Sequence, residues 1–454
     1  MSKRKRLGIV EVTIEKNRYP FEGLATVDGM GYRIKNALAG QRIEAKLTRK
    51  RQGYYLGKTI QVLEKAPYEG ESACLHFPAC GGCLLQSVSY EDQARLLEDQ
   101  VLELFEEHGI KGFEYDGMLV SPQKEHYRNK MEYNFGNAFK EGPMTLGMHP
   151  RGRIHDVINT FECQIAPKDF NRIQAFTQAY FLNQGTAPYN KNTHKGVLRH
   201  LVLRQGMKTR EILIGLVTSS QEKLKLEEYV QEVTRLDLEG EIVGVVHVIN
   251  DAMADAVIPE HTEIIFGRDF YYDEILGLTF KVSLFSFFQT NPLGAEILYD
   301  RALGYIEDSD GKVLFDLFSG TGTLGQLMAS RVKEVFGIEL VEDAVEMANE
   351  NAGINGLDNC TFIAGDVFEK LDNLNSNPDI IIVDPPRVGI SEKAMKKIIA
   401  YKVPEIVYVS CNPKTIVENI KAMEEGGYRV RRLTLVDLFP GTPHVETVCL
   451  LTRK

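Results

Sequence analysis

Seven short runs beyond residue 310 are apolar without alternation: KVLFDLF, EVFGIEL, CTFIAGD, DIIIVDPP, EIVYVSCNP, VRRLTLVDLF and TVCLLTR. A strand that is apolar on both faces needs cover on both faces, and the helical patterns between these runs supply it. From about residue 290 the chain is therefore expected to be α/β, a parallel sheet wrapped by helices.

The first 65 residues read differently. LGIVEVTIEK and YRIKNAL alternate apolar and polar residues, QRIEAKLTRKRQGYYLGKTIQVLE holds two more such runs, and glycines fall between them. Five short strands in so small a stretch point to a small OB-like β-barrel. This head carries 15 Lys and Arg against 6 Asp and Glu, a charge of +9 in a chain whose total is −10. Its last hairpin bears Arg42, Lys46, Arg49, Lys50, Arg51 and Lys58 with Tyr54 and Tyr55 interleaved. Cations track phosphates and aromatic faces stack bases, so RNA is the expected partner, against the plain alternative of a solvated basic face. Ala66-Pro67 reads as a linker. The expected domains are 1–66 (barrel), 67–280 (mixed α+β) and 281–454 (α/β).

No apolar run approaches the roughly 18 residues that span a bilayer, and the basic N-terminus lacks an apolar export block. Seven cysteines are too few for a secreted disulfide scaffold. A cytoplasmic protein with no membrane partner is expected.

The first apolar run enters DLFSGTGTLG, where Gly320, Gly322 and Gly325 satisfy G-x-G-x-x-G and Glu339 closes the next run. Glycines at a strand-to-helix turn bring backbone close to a ligand. Alone, this fits a dinucleotide oxidoreductase as well as an S-adenosylmethionine site, since a carboxylate binds ribose hydroxyls in both. Two later motifs separate the readings. Asp384-Pro385-Pro386-Arg387 ends the fourth run and Ser410-Cys411-Asn412-Pro413 the fifth. Both sit at strand carboxyl ends, where open α/β sheets act on their ligands, and a cysteine beside a rigid D-P-P-R turn suits methyl transfer to a nucleobase.

With C-x5-C-x2-C, FFQTN, DLFSGTGTLG, VDPPR, SCNP and PHVETV in that order, the chain resembles the bacterial RNA (uracil-5-)-methyltransferases that carry an N-terminal TRAM domain and an iron–sulfur cluster, most of which modify 23S ribosomal RNA. The resemblance implies a TRAM barrel, a central domain with an iron–sulfur loop and a Rossmann-like methyltransferase domain. It also implies S-adenosyl-L-methionine and a [4Fe–4S] cluster as cofactors, 23S rRNA as substrate, and a monomer. The same reaction on tRNA is the nearest alternative. From another class, an iron–sulfur RNA-binding sensor with a spent catalytic domain is opposed by the presence of both Cys411 and Glu446.

C5 of uracil is a poor nucleophile until a thiolate adds to C6, and a base must then remove the C5 proton. Cys411 lies just past a buried run and ahead of a helix, whose end is expected to lower its thiol pKa; in the family this cysteine is the nucleophile. Cys360 and Cys449 read as core. Glu446 matches the family's catalytic glutamate, and His444 is an alternative base by chemistry alone. The resemblance places Gln289 on the methyl donor, with Phe318 before the glycine turn. It gives Glu339 the ribose, Asp366 the adenine amino group, and Asp384 a place near cofactor and base. Phe287 is placed to stack on a flipped uracil. Cys74, Cys80 and Cys83, with Cys163 farther on, form a four-thiolate set suited to a [4Fe–4S] cluster or zinc. His76 offers a Cys3His zinc alternative, and the family pattern favours the cluster.

Overall fold

The computed structural model describes residues 8–454 apart from 255, 372, 373 and 375; Lys3, Arg4, Lys5 and Arg6 of the basic head lie outside them. The head forms β1 (Ile9–Thr13), β2 (Lys16–Arg18), β3 (Glu22–Val27), β4 (Met30–Lys35), β5 (Arg42–Arg51) and β6 (Tyr54–Glu64). One more strand is present than expected because the first alternating run bends: β1 pairs with β5 and β2 with β3, so one segment joins both ends of the sheet. Val12, Ile14, Ile34, Ile43 and Ala45 fill its interior. Ala66-Pro67 is not a free linker. Ala66 is buried, its N–H donates to Glu69 Oε2 (2.8 Å), and its carbonyl accepts from Glu69 N–H (2.9 Å).

After α1 (Tyr90–Glu107) the chain makes β7 (Glu114–Leu119). The middle then builds β8 (Lys130–Asn137), β9 (Met144–Met148), β10 (Ile158–Asn159), α2 (Lys168–Asn183), β11 (Leu198–Gln205), β12 (Glu211–Thr218), α3 (Glu227–Val233), β13 (Glu241–Ile249) and β14 (His261–Gly267). These strands form one sheet in the order β10-β9-β8-β11-β12-β13-β14. A hairpin of β15 (Phe270–Ile275) and β16 (Leu278–Ser283) leads into the last third.

That third runs α4 (Pro292–Gly304), β17 (Val313–Leu317), α5 (Thr323–Met328), β18 (Glu334–Glu339), α6 (Glu342–Ile354), β19 (Cys360–Ala364), α7 (Val367–Lys370), β20 (Ile380–Val383), α8 (Glu392–Ala400), β21 (Glu405–Ser410), α9 (Pro413–Glu425), β22 (Tyr428–Val436) and β23 (Glu446–Arg453). The sheet order is β19-β18-β17-β20-β21-β23-β22-β7. The first five strands are parallel, and β23 runs antiparallel between β21 and β22. The edge strand β7 comes from the stretch expected to be a separate central domain, so the boundary at 281 does not divide the molecule in space.

Both faces of this sheet are buried, as unalternated apolar runs require. Ile381, Val383, Ile406 and Tyr408 enter one core with α1, α8 and α9, while Ile380, Ile382, Val407 and Val409 enter another with α4 and the central sheet. Strand order reverses between β17 and β20, which opens a crevice at their carboxyl ends. Among the described residues no helix is long and apolar enough to cross a membrane.

Candidate active site

The glycine turn follows β17 directly into that crevice. Phe318 has φ +65°, a left-handed backbone rare for a bulky side chain and a strain that concentrates at functional turns. Its N–H donates to Ile338 O (2.9 Å), which lashes the turn to β18. Gly320 (φ +54°) donates its N–H to Glu339 Oε2 (3.0 Å), while Glu339 Oε1 accepts from Val341 N–H (3.0 Å). The carboxylate that should meet a ribose is thus fixed at the rim of the glycine cradle. Gly325 comes so close to β17 that an added Cβ would lie 2.9 Å from Asp316 Oδ2, which accepts the Gly325 N–H at 2.9 Å.

The other expected cofactor contacts converge on the same edge. Asp366 follows β19 and caps α7 by accepting the Phe368 N–H (2.8 Å). Asp384 follows β20 with its N–H on Leu317 O (3.3 Å). Gln289 lies beside the buried Tyr299 hydroxyl, which itself stands in the field of Asp384 and Glu446. Exposed Phe287 sits at the mouth, its ring edge 3.9 Å from where a Cβ on Gly320 would be. Glycine cradle, rim carboxylates and crevice fit an adenosyl methyl donor.

Cys411 follows β21. The next residue, Asn412, caps α9 by accepting the Lys414 N–H (3.2 Å), and its Nδ2 donates to Arg387 O (2.9 Å). That bond ties the S-C-N-P turn to the D-P-P-R turn and sets Arg387 beside the thiol. The expected lowering of the thiol by the helix end is reversed. Burial pushes Cys411 up to about 11, Glu446 and Asp384 add to this, and the Arg387 guanidinium opposes it. Glu446 opens β23 opposite Val436 and is buried. Its carboxyl is pushed up to about 8 by burial and then by Asp384, again with Arg387 opposing. Asp384 is pushed up to about 7 by burial and by Asp316. His444 is held down to about 4 by burial and by Arg387 and Arg128, which leaves it a weak base.

The four clustered-set cysteines line one cavity of ≈ 400 Å³, together with His76, Arg128, Thr290, Arg387 and His444. Gly82 N–H donates to Cys80 Sγ (3.4 Å), and the backbone N–H groups of Ala166 and Ile165 face the Cys163 sulfur. Burial pushes Cys83 up to about 11 and Cys163 to about 12, and the neighbouring thiols add to both. Among the described residues no three His, Cys, Asp or Glu side chains converge tightly enough for a single metal ion. Cys74 is buried and Cys80, Cys83 and Cys163 are half-buried around this one space. The cysteine loop also grips the segment before Glu446, because Leu84 and Leu85 N–H both donate to Gly441 O (2.8 and 2.9 Å).

Three residues at this edge escaped the sequence reading. Asp316 is a buried acid, pushed up to about 7, in the otherwise apolar strand VLFDL; that misfit was the available signal. Tyr299 lies inside an apolar helix and Tyr19 in the barrel, and neither stands in a pattern that marks it.

A family described as tRNA (Uracil-5-)-methyltransferase matches residues 259–454. An uncharacterized RNA methyltransferase of Clostridium tetani is 43% identical over 444 residues, covering 98% of this chain and 97% of its own length. Another from Clostridium acetobutylicum is 45% identical over the same shares. In fold, the chain is similar to the Pyrococcus abyssi tRNA (uracil-54, C5)-methyltransferase, solved with S-adenosyl-L-homocysteine: TM-score 0.77, 24% identity, 98% of this chain and 100% of that one. The glycine cradle, the paired turns and these full-length relatives agree that the chain belongs to the S-adenosylmethionine-dependent RNA (uracil-5-)-methyltransferase family.

Proposed function

We propose that the chain methylates C5 of uridine in 23S ribosomal RNA, with Cys411 as nucleophile and Glu446 as base. The observation that carries this reading is the meeting of a thiol, a buried carboxyl and a guanidinium with the glycine cradle at one sheet edge. Gln289, Phe318, Gly320, Glu339, Asp366 and Asp384 hold the donor, which supplies one electrophilic methyl group. Cys411 Sγ bonds to C6, and the C5–C6 electron pair moves into an enolate. C5 then takes the methyl group. Glu446 accepts the C5 proton as the double bond re-forms and the C6–S bond breaks, returning the thiolate. A carboxyl poised near 8 suits this, since a base matched to the working pH both ionises and accepts a proton.

Cys74, Cys80, Cys83 and Cys163 are proposed to hold a [4Fe–4S] cluster. Methyl transfer moves no net electrons, so the cluster's role is to fix the loop that grips Gly441. Protein purified anaerobically should be brown and iron-rich; colourless protein holding zinc overturns this assignment. The barrel hairpin, with Arg33 over the Tyr54 ring (4.1 Å) and Lys50 over the Tyr55 ring (4.9 Å), supplies cations and aromatic faces for RNA. A cytoplasmic monomer is the accompanying proposal.

A second reading, tRNA as substrate, is favoured by the Pyrococcus abyssi enzyme. It shares the fold along the whole chain, barrel included, so the head and cysteine loop do not by themselves mark a ribosomal substrate. Mapping 5-methyluridine in 23S rRNA and tRNA from cells with and without the gene decides between them. Loss of the mark from tRNA alone overturns the ribosomal assignment.

A further inference from the structure

The barrel is bolted to the rest of the molecule on its active-site side. Lys16 pairs with Glu103, Arg18 with Glu107 (2.7 Å), and Phe21 N–H donates to Gln100 Oε1 (2.9 Å), all on α1. Tyr19, Phe21 and Leu38 join the core that contains α1 and α9. The turn between β2 and β3 thereby carries Tyr19 inward until it is 3% exposed. Its hydroxyl stands in the field of Glu446, then Cys411, then Arg387. Among the described residues that hydroxyl has no hydrogen-bond partner. The residue is buried but its oxygen is not sealed off, so this donor, in the field of the reacting groups, is open to a ligand. Burial first, and the ionisable Glu446 and Cys411 after it, keep the phenol in its protonated form. Beside it, Lys414 of α9 faces Glu22, Arg18, Lys35 and Arg33 of the barrel, so the seam next to Cys411 is mainly cationic and suits an RNA backbone.

We propose that the barrel completes the nucleotide pocket, and that Tyr19 donates a hydrogen bond to the uracil carbonyl oxygen beside C5. This rests on the roles of Cys411 and Glu446 given above. That oxygen takes up negative charge as Sγ bonds to C6, and it returns to a carbonyl when C5 takes the methyl group. Tyr19 keeps its proton throughout. The carbonyl carbon adjoins C5, whose proton goes to Glu446, and Glu446 is the first of the ionisable neighbours that act on the Tyr19 hydroxyl.

Tyr19→Phe keeps the ring and removes only the donor. We expect kcat to fall about 100-fold, as loss of one oxyanion donor does, with RNA KM and S-adenosylhomocysteine affinity within about threefold. Covalent trapping by RNA carrying 5-fluorouridine, which blocks proton loss from C5, should slow by the same factor as kcat. Gln100→Leu loosens barrel docking but keeps the hydroxyl, so it should raise KM and leave the trapping rate at saturating RNA unchanged. Wild-type kcat and trapping in Tyr19→Phe overturn the proposal. So does an equal loss of trapping rate and melting temperature in both variants, which marks Tyr19 as a docking residue only. Normal turnover by Cys411→Ala would instead undo the underlying mechanism, a result separate from either.

Discussion

Cys411 and, in the cysteine cavity, Cys80, Cys83 and Cys163 are all raised by burial, but what opposes burial differs. Around Cys163 the opposing groups are backbone N–H dipoles, fixed by the fold and unable to titrate, and around Cys80 the Gly82 N–H opposes burial ahead of the Arg151 guanidinium. Around Cys411 the opposing group is the exposed Arg387 side chain, and the added burden comes from Glu446 and Asp384, carboxyls that change charge near neutrality. Fixed dipoles offset part of the burial cost at Cys163 by an amount that does not change with pH. Titrating neighbours make a thiol whose charge responds to its surroundings, as a nucleophile that must add and leave needs.

Replacing one thiol of each kind tests this contrast most severely. Cys411→Ala should reduce methylation by more than about 10⁴-fold while S-adenosylhomocysteine still binds, as calorimetry would record. Glu446→Gln should lower turnover by about 10²–10⁴-fold and accumulate a covalent protein–RNA adduct visible on a denaturing gel. Absence of the adduct moves the base elsewhere. Cys163→Ala should remove iron and the brown absorbance and lower the melting temperature. It should cut kcat only about tenfold, because its route to chemistry runs through the loop that grips Gly441. Arg387→Met should raise the Cys411 pKa further and slow its alkylation at neutral pH about tenfold, leaving iron content unchanged.

The smallest effect is on stability. The folded Glu446 carboxyl titrates at about 8 against an ordinary 4.5, so folding favours its protonated form. Its contribution is fully present below about pH 4.5 and is lost as pH rises through about 8. Melting temperature should therefore decline between about pH 5 and about pH 9 less in Glu446→Gln than in the parent chain. An identical decline would place the raised carboxyl elsewhere.

The α/β third was legible because double-sided burial writes itself as unalternated apolar runs: all seven expected runs are strands, and the glycine, D-P-P-R and S-C-N-P turns lie at one edge. What sequence cannot carry is which distant segments share that edge. β7 lies more than 300 positions from its partner β22, and Tyr19 reaches Glu446 from the opposite end of the chain. The direction of the Cys411 shift was misread for the same reason. A helix end is a local cue, whereas the burial and the carboxyls that outweigh it are long-range facts.

The pairing of β7 with β22 has a consequence for synthesis. A chain leaving the ribosome can close its barrel early, but β7 finds its partner only after residue 436 has emerged, and β23, which carries Glu446, comes later still. Until then the strand and the apolar face of α1 have no sheet to rest on. Long-range pairing of this kind is slow and leaves edges exposed while it waits. A nascent chain stalled short of β23 would thus hold a closed barrel and a glycine turn but neither Glu446 nor the strand that carries it.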